Sequence, residues 1–214
     1  MTASARAFIT RRLVFGALAS IGALPARAAP SNAQIVTILG DSITAGLGLA
    51  AADALPAQLQ QSLARLGVTA VVRGAGVSGD TTAGGLARLD FSVQPDTTLC
   101  VVELGGNDYL QSIPVGDTKR NMLAIIARLR TRHIRVVACS ASPPGKASGA
   151  YGGEVDAFFK SLRKAPGVFV TPDLLEGVLD NPAMKQADGL HPNARGVRLL
   201  AERLAPVVAR ALKT

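Results

Sequence analysis

Short apolar runs alternate with segments of helical periodicity from residue 34 to the end of the chain. The runs are rich in β-branched residues, and most are apolar throughout, which is typical of parallel strands covered on both faces. This pattern predicts five strands, at Gln34–Leu39, Thr69–Arg73, Thr98–Leu104, Ile134–Ser140 and Gly167–Thr171.

The segments between these strands carry apolar residues at the spacing of one helix face. The last such segment, Val197 to Ala211, contains Pro206, which is expected to kink or break the helix. The alternation predicts a single doubly wound α/β domain of three layers, with about five parallel strands. The helical stripes are Leu55, Leu59, Leu63 and Leu66; Met122, Ile125, Ile126 and Leu129; and Val155, Phe158, Phe159 and Leu162.

The first 28 residues have the pattern of an export signal. Arg11 and Arg12 precede an apolar stretch from Leu13 to Pro25, and residues 26–28 (ARA) supply small residues around a cleavage point. The stretch is shorter than the roughly 20 residues that span a bilayer. We therefore expect residues 29–214 to form an exported, periplasmic or secreted domain without stable membrane insertion. An uncleaved anchor and the choice between general and twin-arginine export stay open.

The charge and the aromatic content argue against nucleic-acid binding. The net charge is +8, but residues 1–28 contribute four arginines and no acid, which leaves 19 basic against 15 acidic residues, or +4. Aromatic residues make up 4% and Trp is absent, so stacking platforms for bases are scarce.

The two cysteines, Cys100 and Cys139, lie inside apolar runs. An oxidising compartment permits a disulfide, but isolated cysteines in core strands are more often buried small hydrophobes. We expect both thiols to be reduced and buried. Neither has a partner at metal-ligand spacing, so no metal site is predicted.

Two segments carry the residue types of nucleophilic catalysis. Ser42 stands in residues 40–44 (GDSIT), at a Gly-flanked turn after the first strand. Asp188 precedes His191 by three residues, so its carboxylate can reach one imidazole nitrogen and leave the other to accept a hydroxyl proton. The alternative for the first segment is that Asp41 simply caps the next helix. The other histidine, His133, is predicted to be a surface residue.

Two further loops offer hydrogen-bond donors at the same edge of the predicted sheet. Gly79 lies in residues 76–82 (GVSGDTT), where glycines allow close approach of the backbone to a ligand. Asn107 follows the third strand in residues 103–108 (ELGGND), and an Asn amide is an established oxyanion donor. Ordinary turn chemistry and helix capping are the alternatives for these two loops.

The four segments occur together in the order used by the SGNH hydrolases, also called GDSL esterases, and the chain resembles that superfamily from about Ile35 to Pro206. The strings VELGGND (102–108) and SGDT (78–81) resemble the branch of periplasmic arylesterases and multifunctional thioesterase I/lysophospholipases. The resemblance implies a flavodoxin-like SGNH hydrolase fold and a serine esterase that needs no cofactor.

The resemblance also implies a role for each motif residue. Ser42 would be the nucleophile, His191 the general base and Asp188 the group that orients it. The backbone N–H groups of Ser42 and Gly79 and the side chain of Asn107 would form the oxyanion hole. The substrate would be a small-molecule ester, and a monomer is favoured.

Substrate choice is expected to depend on two loops. Residues 109–114 (YLQSIP) should lie over the acyl side, where close thioesterase relatives have a small residue in place of Tyr109; Pro144 and Tyr151 follow the fourth strand. We expect short-chain and aryl esters to be preferred, with thioesters and lysophospholipids secondary. The alternative is that Tyr109 points to solvent and does not affect substrate choice. A carbohydrate O-acetyl esterase and a non-catalytic binding protein are the alternatives. The predicted substrate-binding residues are Tyr109, Leu110, Ile113, Pro144 and Tyr151.

Overall fold

The computed structural model describes residues 34–140 and 149–214. The five predicted strands all form, and they pair in parallel in the order β2-β1-β3-β4-β5. The doubly wound arrangement is therefore confirmed. The strands are β1 (Gln34–Gly40), β2 (Ala70–Gly76), β3 (Leu99–Glu103), β4 (Arg135–Ser140) and β5 (Val168–Asp173).

Eight α-helices and two short 3₁₀ turns, at Ala51–Asp53 and Pro182–Met184, connect the strands in the described part of the chain. The longer helices supply the outer layers. The single turns α1 and α5 follow β1 and β3 at the carboxyl edge of the sheet, whereas α4 lies beside the C-terminal end of α6, where Asp90 pairs with Arg128 (3.1 Å). The helices are α1 (Ser42–Ala45), α2 (Leu55–Arg65), α3 (Thr82–Ala87), α4 (Leu89–Ser92), α5 (Gly106–Leu110), α6 (Val115–Thr131), α7 (Gly149–Leu162) and α8 (Ala194–Lys213).

The hydrophobic core has two halves, one on each face of the sheet. Helices α2 and α8 pack over Ile38 and Val101 on one face. Helices α6 and α7 pack over Leu39 and Val102 on the other. Because successive strand residues point to opposite faces, the apolar runs of β1 and β3 serve both halves, and the three-layer prediction is confirmed.

The structure corrects two details of the helical prediction. Pro206 does not break the last helix, because it lies inside α8, which continues to Lys213. Leu204 and Val208 are buried on either side of it, so tertiary packing outweighs the one backbone donor that proline lacks. Leu66 is 52% exposed because α2 ends at Arg65 and the chain turns at Gly67.

The two thiols are free and buried, as predicted. Cys100 and Cys139 stand on the neighbouring strands β3 and β4, but Cys100 packs in the core half under α6 and α7, and Cys139 in the half under α8. Side chains on opposite faces of a sheet cannot be bridged without moving the backbone. Burial raises the pKa of the Cys100 thiol to about 12 and that of the Cys139 thiol well above its usual range.

We therefore expect neither thiol to react with a thiol-specific disulfide reagent in the native protein, because thiolate is the reacting form. Two equivalents should react after unfolding in guanidinium chloride. Rapid reaction of the native protein, or a mass gain of two hydrogens on reduction, would disprove this.

The topology places one crevice at the carboxyl edge of the sheet. Strand β1 has β2 on one side and β3 on the other, so the strand order reverses at this point. Ligands of doubly wound folds bind at such a switch point. The loops after β1, β2 and β3, which carry Ser42, Gly79 and Asn107, all open onto this edge.

No helix in the described residues is long and apolar enough to cross a membrane.

Candidate active site

The turn between β1 and α1 is built around two constraints. The Asp41 Oδ1 atom accepts a hydrogen bond of 3.1 Å from the Ile43 backbone N–H and caps α1. A Cβ at Gly40 would collide with the Thr44 hydroxyl and the Glu103 carboxyl group, so this position requires glycine. Asp41 therefore caps α1, as the alternative interpretation of this motif predicted, and the same turn also places Ser42 at the crevice.

Ser42, His191 and Asp188 form a continuous chain of hydrogen bonds. The Ser42 Oγ atom lies 2.9 Å from His191 Nε2, and His191 Nδ1 lies 2.6 Å from Asp188 Oδ2. The Asp188 Oδ1 atom accepts the backbone N–H groups of Leu190 (2.9 Å) and His191 (3.0 Å). This chain fixes the imidazole with Nε2 facing the serine hydroxyl.

These same donors stabilise the ionised form of the Asp188 carboxyl group. The Leu190 N–H, followed by the His191 ring and N–H, lowers the pKa of the Asp188 carboxyl to about 2. The carboxylate therefore stays ionised throughout the neutral range, although 46% of its side chain is exposed. An ionised partner at Nδ1 favours the tautomer in which Nε2 can accept a proton.

Gln186, which sequence reasoning missed, ties the histidine loop to the loop after α1. Its Nε2 atom donates to the carbonyls of Leu47 (2.8 Å) and Pro192 (3.0 Å), and its backbone N–H donates to the His191 carbonyl (2.8 Å). Gln186 therefore holds the loop that carries His191 against the loop that follows Ser42.

The predicted donors lie on the loops beside the serine. The Asn107 Nδ2 atom donates to Asp41 Oδ2 at 3.0 Å and to the Asp80 carbonyl at 2.9 Å, so it links the loops after β1, β2 and β3. Asn107 does not cap α5, because Gly105 is its N-cap residue. Both amide protons have acceptors here, so donation to a substrate oxyanion requires that one of these bonds be shared or exchanged.

A buried carboxyl group lies directly beneath the nucleophile turn, which is the turn of residues 40–44 that presents the predicted nucleophile Ser42. Glu103, the last residue of β3, accepts a hydrogen bond of 2.8 Å from the Thr44 hydroxyl. Burial, followed by the nearby Asp41 charge, raises the pKa of the Glu103 carboxyl well above its usual range. The pKa of Glu103 is thus shifted in the opposite direction from that of Asp188, and Glu103 supports the turn through its bond to Thr44.

The comparisons with known proteins identify the family. The sequence profile of the GDSL-like Lipase/Acylhydrolase family matches residues 38–199. The chain belongs to this family. As an acylhydrolase of this family it is a serine hydrolase that acts on esters, and the superfamily predicted from the four motifs is confirmed.

Named relatives agree with this identification. The acylhydrolase is 33% identical over 177 residues to "Esterase TesA" of Pseudomonas aeruginosa. The matched region covers 82% of this chain and 88% of the relative. It is 32% identical over 174 residues to "Thioesterase 1/protease 1/lysophospholipase L1" of Escherichia coli K12, with 81% and 82% covered. A crystal structure of TesA superimposes with a TM-score of 0.77 at 32% identity and covers 83% of this chain and 99% of its own.

An apolar cavity of about 120 Å³ opens beside Ser42 and His191 in the acylhydrolase. Tyr109 and Tyr151 both line it, and their tilted rings are in contact with each other, with centroids 5.3 Å apart. Its lining is mainly hydrophobic. Sequence reasoning assigned several of its side chains only to helix stripes or to no site at all: Val115, Met122, Val155, Phe158, Phe159, Leu175, Leu179 and Leu190.

The predicted substrate-binding residues are divided by the structure. Tyr109, Leu110 and Tyr151 line the cavity, whereas Ile113 is not among the described lining residues. Helix α5 ends at Leu110 and Ser112 adopts a left-handed conformation (φ 57°), so Val115 comes to the cavity in place of Ile113. Pro144 lies outside the described residues.

The fully buried Asp108 connects the cavity wall to the loop after β2. Its Oδ2 atom accepts the Thr82 N–H at 2.8 Å, and its Oδ1 atom accepts the Thr118 hydroxyl at 3.1 Å. The Thr118 hydroxyl lies 3.3 Å from the Tyr151 hydroxyl. Asp108 therefore fixes the start of α3 and one aromatic wall of the cavity together.

Proposed function

We propose that Ser42 forms an acyl-enzyme with the acyl group of a small ester. In this proposal His191 transfers the hydroxyl proton of Ser42, and Asp188 stabilises the protonated imidazole. The observation that carries this proposal is the hydrogen-bonded chain from Ser42 Oγ through the His191 ring to Asp188. Such a chain turns a weakly nucleophilic hydroxyl into an effective nucleophile.

The steps follow from the geometry. His191 Nε2 takes the Ser42 proton as Oγ bonds to the substrate carbonyl carbon, and then gives that proton to the departing alcohol as the ester bond breaks. A water molecule repeats the sequence: His191 takes one of its protons, its oxygen bonds to the acyl carbon, and Ser42 recovers a proton as the acid leaves. Asp188 stabilises the transient imidazolium without itself accepting a proton.

The negative charge on the tetrahedral oxygen would be met by the Ser42 and Gly79 N–H groups and the Asn107 side chain. Asn107 already lies between the nucleophile turn and the loop that carries Gly79. Donors that are already positioned stabilise the transition state because they need little reorganisation when the charge appears. Asn107 meets this condition once it shares or exchanges one of its two present hydrogen bonds.

The pH dependence of kcat/KM follows from the protonation states that the mechanism requires of Asp188 and His191. Because the pKa of Asp188 is about 2, its titration contributes no inflection in the neutral range. The imidazole must be neutral to accept the serine proton, so we expect kcat/KM to be lower under acidic conditions than under neutral and alkaline ones. Initial rates by pH-stat would test this. A rate that is greatest under acidic conditions would contradict a histidine base.

The cavity favours short-chain and aryl acyl groups, with thioesters and lysophospholipids as secondary substrates. Its lining is mainly apolar, and the contacting rings of Tyr109 and Tyr151 place a bulky aromatic pair in its wall. Its aromatic and aliphatic lining does not favour a carbohydrate O-acetyl esterase, since a sugar would need many polar partners. A non-catalytic binding function is not favoured for a member of this family that carries the complete hydrogen-bonded chain.

A series of p-nitrophenyl esters from acetyl to palmitoyl tests this preference. We expect kcat/KM to be greatest for the short acyl groups. Tyr109→Ala should improve the palmitoyl ester relative to the acetyl ester by about tenfold, a typical size for discrimination in an apolar pocket.

Phe91→Ala is the matched control for Tyr109→Ala, because Phe91 is an aromatic residue on α4 that is 85% exposed. It should leave the chain-length profile unchanged. A steady rise of rate with chain length, unaltered by Tyr109→Ala, would overturn the proposed preference.

We further propose that residues 1–28 act as an export signal and that the enzyme works as a periplasmic or secreted domain of residues 29–214. The basic, apolar and small-residue pattern of the first 28 residues supports this proposal. That segment lies outside the described residues.

A further inference from the structure

The side chain of Arg88, the residue between α3 and α4, binds three separate segments of the active-site edge. Its Nε atom donates to the Asp80 carboxylate at 2.7 Å. One Nη1 bond goes to the Ala75 carbonyl near the end of β2 (2.9 Å), and Nη2 donates to the Gly40 carbonyl at the end of β1 (2.9 Å). A further Nη1 bond, of 3.0 Å, goes to the Ser92 hydroxyl.

The loop of residues 77–80, which carries Gly79, depends on such outside contacts. Residues 77–79 are exposed, and no described atom lies within 4 Å of the place where a Gly79 Cβ would be. The Gly79 carbonyl accepts only a long bond of 3.4 Å from the exposed Gln111. A turn bond from the Asp80 N–H to the Val77 carbonyl (3.0 Å) closes the loop, but packing does little to fix where the Gly79 N–H points.

Two residues anchor this loop: the Val77 N–H donates to the Gly40 carbonyl at 3.1 Å, and Asp80 makes further contacts. Its carbonyl accepts from Asn107, while its carboxylate accepts from Arg88. The side chains of Arg88 and Asp80 are 19% and 13% exposed, which makes theirs the most enclosed ion pair among the described residues. Removing one partner of an enclosed pair leaves the other charge uncompensated.

Two glycines keep this arrangement close. A Cβ at Gly84 would overlap the Asp80 carboxylate, and a Cβ at Gly76 would overlap the backbone of the nucleophile turn. The loop after β2 therefore packs directly against the segment that presents Ser42, and Arg88 forms hydrogen bonds to both.

We propose that Arg88 is a positioning residue that holds the Gly79 N–H at the proper distance from Ser42. The inference rests on the proposed role of Gly79 in the oxyanion hole. A planar guanidinium reaches acceptors on three segments at once, whereas a lysine ammonium is a point charge on a flexible stem. Arg88 acts through Asp80 and Gly40 and touches no reacting atom.

The test compares Arg88→Ala, Arg88→Lys and Arg73→Ala with the wild type, using p-nitrophenyl butyrate as the substrate. Arg73 is the matched control, because it forms a bidentate pair with Asp96 on the exposed side of β2 (2.6 and 2.8 Å). Arg88→Ala should lower kcat by about 10–100-fold with KM within about twofold, a smaller loss than the roughly 10²–10³-fold caused by deleting an oxyanion donor. Arg73→Ala should match the wild type.

Added guanidinium ion at non-denaturing concentration should restore part of the lost kcat of Arg88→Ala, which a loss of folding stability would not allow. Wild-type kcat in Arg88→Ala, an effect confined to KM, or an absence of rescue would each overturn the proposal. If Arg88→Ala does not fold, Arg88→Lys decides: it should lose kcat while its melting temperature stays near that of the wild type, and unchanged kcat would refute positioning. Absence of wild-type turnover is a separate result that refutes the proposed function.

Discussion

Ser42→Ala is expected to lower kcat for ester hydrolysis by about 10⁶-fold, the scale seen when a serine nucleophile is removed from a hydrogen-bonded triad. The Ser42 hydroxyl lies 2.9 Å from His191 Nε2, and no acyl-enzyme can form without it. The fold should persist, because the substitution removes one oxygen from the edge of the crevice. Steady-state rates with p-nitrophenyl butyrate, together with circular dichroism and thermal melting, measure both effects.

Ser161→Ala is the matched control, since Ser161 lies on α7 and donates only within its own helix, to the Phe158 carbonyl. It should retain the wild-type rate. Substantial turnover in Ser42→Ala, after contaminating esterases have been removed, would show that another group attacks the ester.

Asp188→Asn is expected to lower kcat by about 10³–10⁴-fold. The backbone N–H groups of Leu190 and His191 donate to Oδ1, so the amide oxygen of an asparagine takes that place. Its NH₂ group then faces His191 Nδ1 and donates to it, which leaves the proton on Nε2. An imidazole with its proton on Nε2 cannot accept another from Ser42.

The experiment measures kcat and KM for Asp188→Asn beside Asp180→Asn, an exposed aspartate on the preceding loop. The control should keep wild-type kinetics, and KM should change little in the first variant. A loss of less than tenfold in Asp188→Asn would show that the partly exposed carboxylate is dispensable and that the backbone alone orients His191.

The strands were predictable because a strand buried on both faces is a continuous apolar run. Their ends were less so: the prediction for β2 stops at Arg73, but the strand continues to Gly76 because Gly76 pairs with Gly40 of β1. The Ser42–His191–Asp188 chain was predictable for a local reason. Asp188 and His191 are three residues apart, and Ser42 follows a strand, so the fold has only to bring two segments together.

The remaining parts of the site depend on contacts between residues far apart in sequence. Arg88 donates to Gly40, 48 residues away, and Gln186 donates to Leu47, 139 residues away. Neither residue stands in a motif that marks it. Phe158 fits a helix stripe equally well as a core residue and as a cavity wall, and only the packing of α7 against the crevice decides between the two.

The central claim is that Ser42 carries the acyl group, and labelling with a fluorophosphonate followed by peptide mass spectrometry tests it most directly. This electrophile forms a stable adduct with a serine activated by a neighbouring base. We predict one adduct per chain, located on Ser42, with loss of esterase activity in proportion to labelling and no adduct in Ser42→Ala. An adduct on another residue, or full activity after complete labelling of Ser42, would contradict the account.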